Sequence, residues 1–442
     1  MPRLALVLFL VLAAAPAHAA GSLDPVVPVA FALAIILAAA KLFGHLAEVL
    51  GQPAVLGELI AGIVLGVAGR SFLPSLDQAA RSPEVSLLAS LGVLLLLFEV
   101  GLESTVPQML RVGWPALRVA VLGVVAPTVL GVGVATILLP DASSYTRAFI
   151  GATLCATSVG ITARVLKDLG RGQSAEARLI LGAAVLDDVL GLILLAVVAG
   201  AINAAGAGES LALSSVVMIA AKAGFFLGAS LWIGVRVAPG LFAAASKLRS
   251  AGALLATGLA FCFFLAWLGS FFGLAPIIGA FAAGLILEEV HYRDFVQRGE
   301  HGLEHLVHPI AGFLAPIFFV QMGMLTDVGK LLDLDVMVLG LGLSAAGLIG
   351  KAVSGYAAPR GSVDQLAVGL GMAPRGEVGL IFANIGLGLT VAGAPVLDSR
   401  LYSAIVMMVI VTTLLTPPAL KWRFASGGRT LAQGGDSGPP TG

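Results

Sequence analysis

Charge is scarce in this sequence. Asp, Glu, Lys and Arg make up 11% of 442 residues, under half the ~25% of an ordinary soluble domain. The 25 basic residues cancel the 25 acidic ones, so nothing points to nucleic acid or to an acidic partner. Cysteine is nearly absent as well. Cys155 and Cys262 each stand inside an apolar run, where neither a disulfide framework nor a metal site can be read. No glycine-rich phosphate loop follows a strand, so no nucleotide regulation within this chain and no cofactor is expected. What remains is apolar. Hydrophobic residues are 58% of the chain, the composition of a polytopic membrane protein, and spans of that length in lipid are helical because backbone hydrogen bonds must close within the segment.

The stretch "MPRLALVLFLVLAAAPAHA" has a basic residue (Arg3), a short apolar core and an Ala17-His18-Ala19 ending, the layout of a secretory signal over 1–19. Cleavage after Ala19 would leave the mature amino terminus outside; a retained anchor is the alternative. Beyond it, residues 20–420 hold about 13 apolar windows long enough to cross ~30 Å of hydrocarbon. The fifth window is 147–166, the sixth 178–201, the seventh 212–236, the ninth 273–288, the eleventh 335–357 and the twelfth 365–393. This count puts the carboxyl terminus in the cytoplasm. The basic residues agree, with about a dozen Lys and Arg in the cytoplasmic connections against about five outside. Residues 421–442 read as a short, flexible, disordered cytoplasmic tail.

The chain also repeats itself. "GELIAGIVL" (Gly57 to Leu65) and "GAFAAGLIL" (Gly279 to Leu287) share G-x-x-x-A-G-x-x-L, and one offset, 222 residues, relates Gly62 to Gly284 and Gly101 to Gly323. Seven spans separate the copies, and an odd number inverts the second. Inverted repeats belong to secondary transporters, whose ion sites lie at the midplane among broken helices. Two spans read as broken. The fifth packs Thr153, Thr157, Ser158, Gly160 and Thr162 into "ATLCATSVGITARVL". The twelfth is too long for one straight helix and is interrupted at Pro374, Arg375, Gly376 and Glu377.

In the sixth span "VLDDVLGLILL" sets Asp187 beside Asp188. A charged carboxylate at the centre of a membrane helix costs ~2.5–3.5 kcal/mol, so the pair implies ion or proton binding. Neighbouring residues on a helix point about 100° apart, so one acid is expected to bind the ion while the other meets a partner. Lys351 in the eleventh span is the available cation, unless it only snorkels to the surface. Arg375 and Glu377 pair with one another or compensate the half-helix ends in the twelfth span, a structural role preferred here to direct ion binding. Glu58, Glu99 and Glu103 read as a solvated vestibule, and four histidines between Glu288 and His308 as a wet loop or a pH sensor. Lys222 is deep in the seventh span and has no evident role. An intramembrane protease is the distant rival, but its acids sit on different helices in a G-x-G-D context absent here, so the protein is expected not to be an enzyme.

Together, "GQPAVLGELIAGIVLG", "LLLLFEVGLE", "TSVGITARVLKDLG", "VLDDVLGLILL", "IGKAVSG" and "PRGEVGLI", in this order across residues 26–420, resemble the monovalent cation:proton antiporter-2 family of bacterial membranes. The resemblance implies an all-α inverted-repeat antiporter fold, a homodimer in the lipid bilayer of the inner membrane, and a six-helix core that moves to give alternating access. In relatives with two adjacent aspartates the second binds the ion and the first pairs with the lysine. That carries over to Asp188, Asp187 and Lys351, and implies electrogenic exchange of Na⁺ (or Li⁺) for H⁺; a K⁺/H⁺ antiporter is the alternative. Sodium, the only metal expected, is a hard cation whose oxygen ligands would be Asp188 with Thr157, Ser158 or nearby carbonyls.

Overall fold

The computed structural model describes residues 26–432, apart from 73, 104–105, 159–161, 163–164, 167–170, 173, 207–212, 249, 251, 288–294, 296–300 and 392. The expected signal over 1–19 lies outside the described residues. In chain order the helices are α1 (Val26–Val49), α2 (Ala54–Phe72), α3 (Pro74–Ala80), α4 (Pro83–Glu103), α5 (Val106–Leu138), α6 (Ser144–Thr153), α7 (Ala175–Gly206) and α8 (Leu213–Ala245). There follow α9 (Ala253–Phe271), α10 (Pro276–Ile286), α11 (Leu303–Leu325), α12 (Val328–Leu331), α13 (Leu334–Ser354), α14 (Gln365–Gly371), α15 (Glu377–Gly388) and α16 (Ser399–Ala432). A small antiparallel ribbon, β1 (Thr390–Val391) with β2 (Ala394–Pro395), pairs Thr390 with Pro395 between α15 and α16.

Among the described residues ten helices are long and apolar enough to cross a membrane. The other three expected spans have a different form. The fifth and twelfth are divided, and the ninth is the 11-residue α10, about 16 Å long against ~30 Å of hydrocarbon. Every residue of α10 from Ile277 to Ile286 is buried; a hydropathy window cannot distinguish an apolar helix packed in protein from one facing lipid. The sequence puts the seventh span at 212–236, whereas α8 runs on to Ala245. The last helix also continues to Ala432, so 421–432 is helical where a flexible tail was expected; residues 433–442 lie outside the described part.

The chain divides into two compact units, Met1–Thr105 with Ala221–Gly329, and Val106–Ala220 with Lys330–Gly442. Within the first, α2 packs on α11 and α4 on α10. Both crossings are made by the repeat glycines. A Cβ on Gly62 would lie 2.8 Å from the Cα of Gly323, and one on Gly101 would lie 3.0 Å from the Cα of Gly284. The offset of 222 carries Gly62 to Gly284 and Gly101 to Gly323, so it exchanges one crossing for the other. Such backbone approach tolerates only hydrogen as the side chain, and it is how membrane helices gain dispersion contact where no hydrophobic driving force exists.

In the second unit α13 packs against α5 and α16, and α7 lies along α5 and α6. The helix α5 is broken near its start at Gly113 (φ 74°, ψ −177°), a backbone conformation glycine adopts without a Cβ penalty. Its sixth-span neighbour α7 has 32 residues, about 48 Å, and places the two aspartates well inside the helix.

Candidate functional site

The two interrupted spans meet in the second unit. Helix α6 ends at Thr153, and Ala156, Thr157 and Ser158 are non-helical; α14 ends at Gly371 and α15 begins at Glu377. The non-helical pieces bind each other. Ser158 donates its backbone N–H to the Pro374 carbonyl (2.9 Å), and Thr157 donates its hydroxyl to the Met372 carbonyl (3.1 Å). Thr162 donates to the Gly371 carbonyl (2.6 Å).

Each half-helix end leaves carbonyls without intrahelical partners, and the two ends are satisfied differently. At α14 the partners are neutral hydroxyls. Just past the end of α6 the donor is cationic: Arg375, fully buried, donates through Nη1 to the carbonyls of Cys155 (3.2 Å) and Ala156. The Arg375 carbonyl itself accepts from the Thr413 hydroxyl on α16. A guanidinium near a helix carboxyl end is favoured by the dipole, but the carbonyls Arg375 serves belong to the fifth span, whereas its expected role was at the half-helix ends of the twelfth. Glu377 opens α15; its side chain lies outside the described part. Replacing Arg375 by Ala leaves the two carbonyls buried without their donor, at ~1–3 kcal/mol each. The detergent-solubilised variant should unfold at a lower temperature and lose transport, and an unchanged unfolding midpoint would remove the capping role.

The aspartates lie on the neighbouring α7. Asp187 is 0% exposed, and its Oδ1 accepts from Lys351 Nζ at 2.7 Å, with Lys351 also at 0%. The lysine therefore does not snorkel. Asp188, one residue on, is 7% exposed, as the 100° step between neighbours leads one to expect. Among the described residues the Oδ2 of Asp187 and the Nε and Nη2 of Arg375 are buried without hydrogen-bond partners, and Arg375 lies within Coulombic range of both Asp187 and Lys351. Four charged groups of opposite sign thus share one buried region. Thr157 (1% exposed) and Ser158 (1%) are buried in the same unit. A hydroxyl that donates its hydrogen, as Thr157 does, still has lone pairs for a cation.

Two contributors were not anticipated. A Cβ on Gly123 of α5 would come 3.2 Å from Asp187 Oδ1 and 3.3 Å from Lys351 Nζ, so the backbone of α5 itself covers the ion pair. Thr413 is the other. Its neighbours Thr412 and Thr416 bond carbonyls of their own helix, and the run "VTTLLTPP" was the available signal. Gly123 had none, being one of 56 glycines.

Glu58 (6%) and Glu99 (8%) are buried, not solvated. α1 covers the first, with Gly44 beside Glu58, and α11 the second, where Glu99 Oε1 lies 2.5 Å from His308 Nδ1. Glu103 is exposed, and so is Lys222. His301 and His305 stack with ring centroids 6.2 Å apart; His291 lies outside the described part.

A family model described as sodium/hydrogen exchanger, transmembrane, matches residues 5–425. The chain is 36% identical over 431 residues to the high-affinity Na⁺/H⁺ antiporter NhaS3 of Synechocystis, with 90% of each covered. It is 34% identical over 404 residues to the Na⁺/H⁺-K⁺ antiporter GerN of Bacillus cereus, covering 90% of this chain and 96% of that one. Among solved structures it is similar to the sodium proton antiporter MjNhaP1 of Methanocaldococcus jannaschii, with a TM-score of 0.67 over 91% of this chain and 98% of that one. At 16% identity the latter is a likeness of fold alone.

Proposed function

The chain belongs to the family of transmembrane sodium/hydrogen exchangers, and from that premise we propose that it is an electrogenic antiporter in which sodium and protons compete for Asp188. The observation that carries this reading is the buried Asp187–Lys351 pair at 2.7 Å, beside which the adjacent acid, also buried, is the more accessible of the two at 7%.

A single carboxylate holds a proton or a sodium ion but not both, because each neutralises the charge that attracts the other. Competition for Asp188 is the coupling. Thr157, Ser158 and carbonyls of the crossing complete an oxygen shell suited to a hard cation. Asp187 holds the Lys351 ammonium, and a proton gained and lost within that pair adds a second proton to each cycle. Two protons against one sodium move one net charge, worth ~2.3 kcal/mol per 100 mV of membrane potential. Arg375 takes no part in ion binding; it holds the interrupted segments in place.

The protein acts as a homodimer in the bacterial inner membrane, with its carboxyl terminus in the cytoplasm. The excess of basic residues in the corresponding loops supports this orientation, and family resemblance supports the dimer. Because one relative is a Na⁺/H⁺-K⁺ antiporter, potassium is the second reading. Purified protein in proteoliposomes with a preset pH gradient separates the two. Na⁺ and Li⁺ should dissipate the gradient at least about tenfold more effectively than K⁺, a selectivity of ~1.4 kcal/mol. Exchange driven by K⁺ alone would overturn the sodium assignment.

A further inference from the structure

A cavity of about 740 Å³ opens in the second unit where α5 ends and α13 and α16 begin. It is separate from the ion pair: Leu138, on its wall, stands 15 residues along α5 from Gly123, about 22 Å of helix. Leu139 and Val338 contribute apolar wall, while Asp141, Asp335, Asp398 and Arg400 bring charge. Asp398 is committed, since its Oδ1 accepts the backbone N–H groups of Arg400 (2.9 Å) and Leu401 (2.8 Å) at the start of α16. The side chains of Asp141, Asp335 and Arg400 enter none of the hydrogen bonds or ion pairs among the described residues.

Beside these charges the same elements expose large apolar side chains, Ile137 at 78% and Leu334 at 73%. Exposed aliphatic residues directly next to solvated charges mark the level where lipid tails meet headgroups. The volume lies within the ~300–1,000 Å³ range of pockets that hold a small ligand.

We infer that this cavity seats the headgroup of a zwitterionic lipid with a primary ammonium, phosphatidylethanolamine, its ammonium on Asp141 and Asp335 and its phosphate on Arg400. Charge complementarity selects that occupant. A primary ammonium has three N–H donors and can serve two carboxylates at once, whereas the quaternary ammonium of phosphatidylcholine has none. Guanidinium matches a phosphate through paired N–H donors. Phosphatidylglycerol brings an anion to Arg400 but only neutral hydroxyls to the two acids, and its net charge opposes theirs. The glycerol and upper acyl chain then lie along Leu139 and Val338.

The test is lipid retention by the purified, detergent-solubilised full chain, read by native mass spectrometry and thermal unfolding, with phosphatidylethanolamine, phosphatidylcholine and phosphatidylglycerol added singly. Phosphatidylethanolamine should be retained at least about fivefold more than either competitor, a preference in keeping with a few exposed polar contacts, and should raise the unfolding temperature most. The double variant Asp335→Asn with Arg400→Gln should lose that preference while unfolding at the same temperature without lipid and exchanging ions as before. Equal retention of the three lipids by the unaltered protein overturns the inference, and so does a preference that survives in the double variant. Should the double variant fail to fold, Asp335→Asn alone decides, with the same two outcomes.

Discussion

Asp188→Asn is expected to abolish sodium-driven proton flux, lowering exchange in proteoliposomes by at least about a hundredfold, or ~2.7 kcal/mol. The amide has nearly the shape of the acid but neither titrates nor carries the charge that attracts sodium. Both cargoes lose their site in one substitution. The change is mild for the fold, because Asp188 is the more exposed of the pair (7% against 0%) and the Asp187–Lys351 bond is untouched. An unfolding midpoint close to that of the parent protein is the companion expectation. Normal exchange by this variant would remove the site assignment altogether.

Asp187→Asn should have the opposite profile: some exchange persists, but the transport current on a solid-supported membrane disappears. Lys351 is buried at 0% exposure with Asp187 as its hydrogen-bonded anion. Removing one partner of a buried pair leaves the other charge uncompensated, at ~3–5 kcal/mol. The lysine relieves that cost by giving up its proton, and the second proton of the cycle is lost with it. A one-for-one exchange moves no net charge, so flux and current separate. A current as large as that of the parent protein would sink the two-proton scheme while leaving Asp188 in place. The variant should also unfold at a lower temperature than Asp188→Asn, a difference that ranks the two acids without any transport assay.

The pairing of Asp187 with Lys351 was legible as a possibility because charge is so rare in this chain. When 11% of residues are charged, an acid pair in the sixth span and a lysine in the eleventh have few alternative partners, and the cost of leaving them single is high. The same reasoning misjudged Glu58 and Glu99. Both lie near helix ends, where water is the default partner, yet packing of α1 and α11 covers them. Burial near an end depends on which neighbour arrives there, and periodicity within one helix carries no record of that. The opposite error occurred at the ninth span, where the apolar α10 is buried in protein along its length and needs neither the length nor the exposure of a lipid-facing helix.

Local chemistry was therefore enough to determine a helical membrane protein, its repeated halves, the two interruptions and the acids that a bilayer would not tolerate without purpose, because each of these follows from what a segment does in lipid by itself. Only the tertiary structure decided which partners those groups take: Arg375 on the Cys155 carbonyl just past α6, Thr157 and Thr162 on the end of α14, and the α5 backbone at Gly123 over the ion pair. The partners are more than 200 residues apart in the first three cases and come from a third helix in the last. Hydrogen bonds and steric contact act over a few Å, so they exist only once packing has brought distant segments together.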